Sequence, residues 1–262
     1  MLNPIVVNQN VILVSRQDNY LQLKPGKKKI IAETLLKVKV NEVSYVTFLC
    51  LNEHLEELAL GNLYNEGIID SLSEVERTSI KDDTFSIYIK KNLPAFKEYR
   101  RVSSTSAKNF PVVQTERTGD IEPISDNSKV SMNRIWTLME EFKEQSSLFI
   151  RIGGVHSALF YHNDLSIFAE DIGRHNCIDK IVGKLLKLGK LELVAESLML
   201  SSGRISTEII SKVIRLKIPV FVSRTTPTAN AVELAEKYNI TLIGYVRGEK
   251  GVIYSGRERV TD

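Results

Sequence analysis

The spacing of apolar positions changes character along the chain. Between residues 5 and 51 they come in β-branched runs, and Ile5 to Val14, Ile30 to Val40 and Val43 to Leu51 predict strands. Lys24-Pro25-Gly26-Lys27-Lys28-Lys29 reads as a turn with a basic flank. From Glu53 the spacing turns helical: Leu55, Leu58, Ala59 and Leu63 predict a short amphipathic helix, with His54 at its start and Gly67 as its stop. Ser79 to Lys90 alternates as a strand through Ile80, Phe85, Ile87 and Ile89. The polar tract from Arg100 to Pro111, continuing to Gly119-Asp120 and Pro123, reads as a linker or mobile loop. This divides the chain into a β-rich N-terminal region, 1–128, and a second region, 129–262.

The second region opens with a helix over Ser131 to Gln145, whose Ile135, Leu138, Met139 and Phe142 fall at i, i+3, i+4 and i+7. Strands and helices then alternate. Leu148-Phe149-Ile150, Ala158 to Tyr161, Leu165 to Ala169, Leu198 to Leu200, Val220 to Val222, Ile240 to Val246 and Val252 to Tyr254 read as strands. Helices are predicted after His175, over Ile205 to Leu216, and from Pro227, with Thr226 as its cap. Short loops between alternating elements predict an α/β fold with a largely parallel sheet and helices on both faces.

Composition adds limits rather than direction. Of 262 residues, 43% are apolar and 26% charged, and 35 Lys plus Arg against 32 Asp plus Glu leave a net charge of +3. That surplus is too small to point to nucleic acid. The two cysteines, Cys50 and Cys177, form no Cys-x-x-Cys pair and no disulfide framework, which fits a reducing compartment. With no leader pattern and no run near the ~20 apolar residues of a membrane span, the expectation is a cytoplasmic protein with no membrane contact. His156 and His175 could hold a metal with Cys177 and an acid, but the His-x-Glu plus Cys-x-x-Cys pattern of zinc deaminases is absent, so no metal site is expected.

The densest chemistry lies in Glu170-Asp171-Ile172-Gly173-Arg174-His175-Asn176-Cys177-Ile178-Asp179-Lys180, where a strand hands over to a helix. In open α/β sheets ligands bind at such strand exits. Asp171 or Asn176 could equally cap the helix. Other strand exits carry similar equipment: Ser201-Ser202-Gly203-Arg204, Ser223-Arg224-Thr225-Thr226 and Arg247-Gly248-Glu249-Lys250. Glycine lets backbone N–H groups approach a phosphate, hydroxyls donate, and arginine offers a planar charged fork. Three of the four loops are expected to abut a helix N-terminus, which also favours an anion. If the loops share one sheet edge, they make a phosphate or nucleotide site; otherwise the arginines pair with Glu170, Asp171, Asp179, Glu208 and Glu233. No Walker loop and no Gly-x-Gly-x-x-Gly occurs, so ATPase and dehydrogenase chemistry are not indicated. Cys177 beside His175 at a helix start is a conceivable nucleophile pair.

Gly153-Gly154-Val155-His156-Ser157-Ala158, the Asp-x-Gly-Arg-His-Asn element at 171–176 with Asp179-Lys180, and Ser202-Gly203-Arg204 resemble the FdhD/NarQ family of formate dehydrogenase accessory sulfurtransferases. So do Pro227-Thr228 with Ala231 to Ala235, Leu242 to Tyr245, and Glu57 to Gly61 with Glu66 to Ile69. The resemblance spans roughly residues 30 to 256. It implies a three-layer α/β/α core like that of cytidine deaminases, with a smaller β-rich N-terminal subdomain, and a homodimer. It implies delivery of persulfide sulfur from a cysteine desulfurase to the molybdenum cofactor, bis-molybdopterin guanine dinucleotide, for formate dehydrogenase. The family's cofactor-binding segment falls on Tyr245, Val246, Arg247, Gly248, Glu249 and Lys250. With the loop residues, the implied cofactor set is completed by His156, Asp171, Gly173, Arg174, His175, Asn176, Ser202, Gly203, Arg204 and Arg224. The family's sulfur-carrying Cys-x-x-Cys would fall near Ser106 to Phe110, where this chain has no cysteine. Either Cys177 or Cys50 takes over that role, Cys177 being the better placed inside the motif, or the protein binds the cofactor as a chaperone without carrying sulfur.

Overall fold

Two large sheets and six helices among the described residues divide the apolar positions between them. The computed structural model describes residues 4–91, 100–102, 121–125, 128–163 and 165–262. The site expected for the family cysteines, and most of the predicted linker, lie outside those residues. Strands β1 (Val6–Gln17) and β2 (Tyr20–Ile31) form a separate antiparallel pair. A five-stranded sheet follows, of order β5-β6-β3-β4-β7, from β3 (Thr34–Val40), β4 (Val43–Cys50), β5 (Val75–Lys81), β6 (Thr84–Ile89) and β7 (Arg100–Val102). Helix α1 (Leu55–Asn65) lies between β4 and β5 in sequence.

After β8 (Val130–Ser131) come α2 (Met132–Gln145) and the short α3 (Ser147–Arg151). The core sheet is then built from β9 (His156–His162), β10 (Leu165–Asp171), β11 (Leu198–Ser201), β12 (Val220–Ser223), β13 (Thr241–Arg247) and β14 (Lys250–Ser255), in the order β10-β9-β11-β12-β13-β14. Helices α4 (Arg174–Leu188), α5 (Thr207–Leu216) and α6 (Ala229–Lys237) connect its strands, and β15 (Val260–Thr261) returns to pair with β8.

Alternation along the core strands feeds two apolar layers. Ala158, Phe160, Ile167, Met199, Phe221 and Leu242 face α4, α5 and α6, whereas Leu159, Leu200, Val222 and Ile243 face Ile135, Leu138, Met139 and Phe142 of α2. The expected three-layer α/β/α core is therefore present. Its sheet is mixed rather than largely parallel: only β11, β12 and β13 run parallel, while β9 is antiparallel to both its neighbours and β14 to β13. Hairpin turns at β9–β10 and β13–β14 replace the helical crossovers that parallel neighbours require.

Other local expectations shift for identifiable reasons. The Lys24–Lys29 segment lies within β2; the chain reverses at Asp18 and Asn19, both at positive φ, where short polar side chains tolerate the left-handed region. Ser79 to Lys90 is two strands, broken at Asp82 (φ 52°). Leu148-Phe149-Ile150 is helical, because the Leu148 and Phe149 amides donate to the Glu170 carboxylate (3.2 and 3.4 Å). A three-residue apolar run fits either state. The last helix starts at Ala229 with Thr228 as its cap residue, since Pro227 bridges instead to Ile205.

Helix α1 joins the five-stranded sheet to the core by lying directly on α4. A Cβ on Gly61 would sit 1.8 Å from the Asp179 carbonyl oxygen, and one on Gly183 2.0 Å from that of Glu57, so two glycines let the backbones touch. Asn62 and Asn65 then donate to the Asp179 carboxylate (3.1 and 2.6 Å), which Lys212 of α5 meets at 2.5 Å.

Candidate anion site at the sheet edge

Strand direction brings the singled-out loops together. The C-terminal ends of β10, β11, β12 and β13 and the N-terminal end of β9 lie on one edge of the core sheet. Contacts tie the loops to one another. The Ser202 hydroxyl accepts from the Ser157 amide (2.9 Å) and lies 3.3 Å from His156 Nδ1. A Cβ on Gly203 would be 2.9 Å from the Arg174 side chain, so only glycine leaves room for it. The Arg224 amide donates to the Ser201 carbonyl, Arg247 Nε donates to the Arg224 carbonyl, and the Tyr245 amide donates to that of Thr225, each at 3.2 Å.

The predicted residues separate into a scaffold and a charged surface. Asp171 is scaffold: fully buried, it accepts from the amides of Leu51 and Gly173, from Asn176 Nδ2 (2.8 Å) and from Lys180 (2.6 Å). Asn176 also donates to the Leu49 carbonyl. These bonds fix the turn that launches α4, with Gly173 at its cap position. A buried ion pair of this kind is tolerable only because the carboxylate is fully hydrogen-bonded.

Cys177 is scaffold as well. It has no exposed surface and its sulfur lies 3.4 Å from the Gly173 carbonyl. Burial first, and then the Asp171 charge, push its thiol well above the ordinary range, and the same causes raise Cys50 to about 12. Burial and the raised pKa disfavour the thiolate at both cysteines, the form that nucleophilic sulfur chemistry requires. Val246 turns away from the edge: fully buried, it packs in the α2 layer, so its side chain is part of the core rather than of a binding surface.

The arginines are different. None of Arg174, Arg204 and Arg224 is within ion-pair distance of a carboxylate among the described residues; Asp171 and Asp179 are taken by Lys180 and Lys212 instead. Arg174 is only 9% exposed, and its Nε has no hydrogen-bond partner among the described residues. Burial and the neighbouring Arg204 hold its guanidinium below the usual arginine range, with Glu208 partly offsetting them. His175, 3.9 Å from Glu208, is held well below its ordinary range by burial, then by Lys212 and Arg174. His156 is lowered by burial and by Arg174. The edge is thus a positive surface with two neutral imidazoles, its arginines outnumbering Glu208 and the exposed Glu249 among the described residues. Buried arginine without a counter-ion is costly unless a ligand supplies one.

Two expectations about this edge change. The loop hydroxyls are staples: Ser201 accepts from the Gly203 amide, and Ser223 donates to the Gly203 carbonyl and accepts from the Thr225 amide. Only Gly173-Arg174-His175 abuts a helix, because α5 and α6 begin several residues past their loops, behind the Ile205–Pro227 bridge. Arg247, Gly248, Glu249 and Lys250 form the exposed β13–β14 turn. Tyr245 stands exposed at positive φ (54°), with the Arg247 guanidinium 5.9 Å from its ring. Sequence reading missed Lys212. A lysine three residues after Ile209, inside the apolar stripe of α5, was the available signal.

The FdhD/NarQ family model matches residues 31–261. Among similar proteins, the sulfur carrier protein FdhD of Listeria innocua is 34% identical over 240 residues, covering 88% of this chain and 91% of that protein. The protein of the same name from Bacillus pumilus is 33% identical over 271 residues and covers all of both chains. The crystal structure of a formate dehydrogenase accessory protein from Desulfotalea psychrophila superposes with a TM-score of 0.79 at 23% identity, covering 98% of this chain and 100% of that one.

Proposed function

Since the chain belongs to the FdhD/NarQ family, we propose that it serves formate dehydrogenase maturation by holding the molybdenum cofactor, bis-molybdopterin guanine dinucleotide, by its guanine-nucleotide end. The observation that carries this reading is Arg174, which is nearly buried, without a counter-ion among the described residues and with an orphaned Nε at the convergence of four loops. Arg174, Arg204 and Arg224 would meet the phosphates through charge-assisted bonds. Tyr245, exposed beside Arg247, would offer a flat face to the base. When bound, the cofactor supplies the molybdenum chemistry of the client enzyme; this chain's residues bind and orient it.

The curated relatives are named sulfur carriers, and delivery of sulfur from a cysteine desulfurase would be the fuller role. A specific observation favours the narrower reading here: both cysteines of the chain are buried, with raised thiol pKa. The test is complementation. A host lacking its own protein of this kind should regain formate dehydrogenase activity with this chain, and Arg174→Ala should abolish the rescue at unchanged protein level. Cys177→Ala should still rescue, and the native protein should gain no sulfur-sized mass on incubation with a cysteine desulfurase and cysteine. Loss of rescue in Cys177→Ala, with a mass gain that this variant lacks, would restore Cys177 as the carrier.

A further inference from the structure

Strands β1 and β2 carry chemistry that the sheet edge leaves unused. They pair along their full length, from Val6 opposite Ile31 to Gln17 opposite Tyr20, and join no other sheet among the described residues. Among the described residues their apolar packing onto the rest of the fold is at the base, where Ile5, Val6 and Ile31 lie against Leu51, Leu148 and Val155. Two strands alone are marginal in water, so this arm gains order from its base and from whatever covers it.

Alternation sorts the arm into two faces. On the face that starts at Val6 and Ile31, the register sets Ile12 opposite Pro25, Val14 opposite Leu23, and Arg16 opposite Leu21. Ile12, Val14, Leu21 and Leu23 therefore form one apolar patch in the outer half, 58, 66, 69 and 62% exposed. Nearer the base the same face carries Lys27 and Lys29, opposite Asn10 and Asn8. Residues 6–31 hold five cations (Arg16, Lys24, Lys27, Lys28, Lys29) against the single carboxylate of Asp18, a surplus larger than the +3 of the whole chain. Edge lysines deter strand-to-strand aggregation; that explains the charge but not the apolar patch beside it.

We propose that the arm is a docking surface for the client enzyme, taking an acidic surface with an apolar centre. This rests on the formate dehydrogenase reading. Charge selects the occupant: a second arm laid face to face would bring cations against cations, whereas an acidic rim neutralises them. The arm ends in the polar turn Gln17-Asp18-Asn19, not in an apolar wedge suited to lipid. The family model begins at Ile31, so the arm up to that residue lies outside the matched segment that holds the sheet edge.

The test uses the full chain and purified apo formate dehydrogenase from the same organism, with binding followed by interferometry at low and high salt. Wild type should bind, at least tenfold more weakly at high salt. Val14→Ser/Leu23→Ser and Lys27→Glu/Lys29→Glu, all at exposed positions, should each bind at least tenfold more weakly than wild type, with GDP affinity unchanged. Wild-type binding by both variants would overturn the proposal. So would a dimer-to-monomer shift in the variants, which assigns the arm to a second copy, or wild-type binding to phosphatidylglycerol vesicles that both variants lose. Wild type that binds GDP but not the apoenzyme would overturn the arm assignment and leave the cofactor site standing; failure of both would remove the client reading with it.

Discussion

Arg174 and His175 are neighbours in sequence with different tasks. Arg174 is nearly buried, with its guanidinium held below the usual arginine range by burial and Arg204 and partly restored by Glu208. His175 stays neutral, because three nearby cationic or imidazole groups and its burial disfavour a second proton. In the unfolded chain the imidazole titrates near 6.5, so below that pH the unfolded state binds more protons than the folded one. Its lowered pKa thus contributes nothing to the pH dependence above about 6.5 and an increasing loss of stability below it, with a slope approaching about 1.4 kcal/mol per pH unit. Urea denaturation between pH 7.5 and 5.5 should show this fall, and His175→Gln should make it shallower, leaving the share of His156, which is lowered too. At this scale the sequence is readable in part. The Asp171–Asn176 element stands out as polar and dense, but whether Asp171 faces an arginine or Lys180 depends on how α4 packs, which no local pattern encodes.

Elements fix where the charged groups stand. The α1–α4 contact is a backbone-to-backbone approach, sealed by Asn62, Asn65, Asp179 and Lys212. Gly61→Ala places a methyl group on the Asp179 carbonyl with no flexible side chain to yield. It should cost about 3 kcal/mol or more, at or beyond the upper end of overpacking penalties, and thermal or chemical denaturation would measure it. A cost under about 0.5 kcal/mol, the range of neutral surface substitutions, would mean that the helices can separate there. The periodicity of α2, α4 and α5 makes those helices legible. The strand directions are not, because β9 and β10 join by a hairpin that reads locally like two strands of any sheet. Leu148-Phe149-Ile150 shows the same limit, since its helix depends on Glu170, distant in sequence.

For the whole molecule, one sheet edge gathers loops that lie far apart in the chain, and the fold gives that edge positive charge while Asp171 and Asp179 are consumed in the scaffold. The recurrence of glycine, serine and arginine at strand exits is legible in the sequence itself. The inward Val246, the buried thiols and the stapling role of the hydroxyls emerge only from packing. The central claim is that Arg174 and its neighbours form an anion site for a guanine nucleotide, and calorimetric titration with GDP tests it most directly. A charge-assisted hydrogen bond contributes about 1.5–3 kcal/mol, so wild type should bind and Arg174→Ala should bind roughly 10- to 100-fold more weakly, with its melting temperature not lowered. Equal affinity in the two proteins would contradict the account.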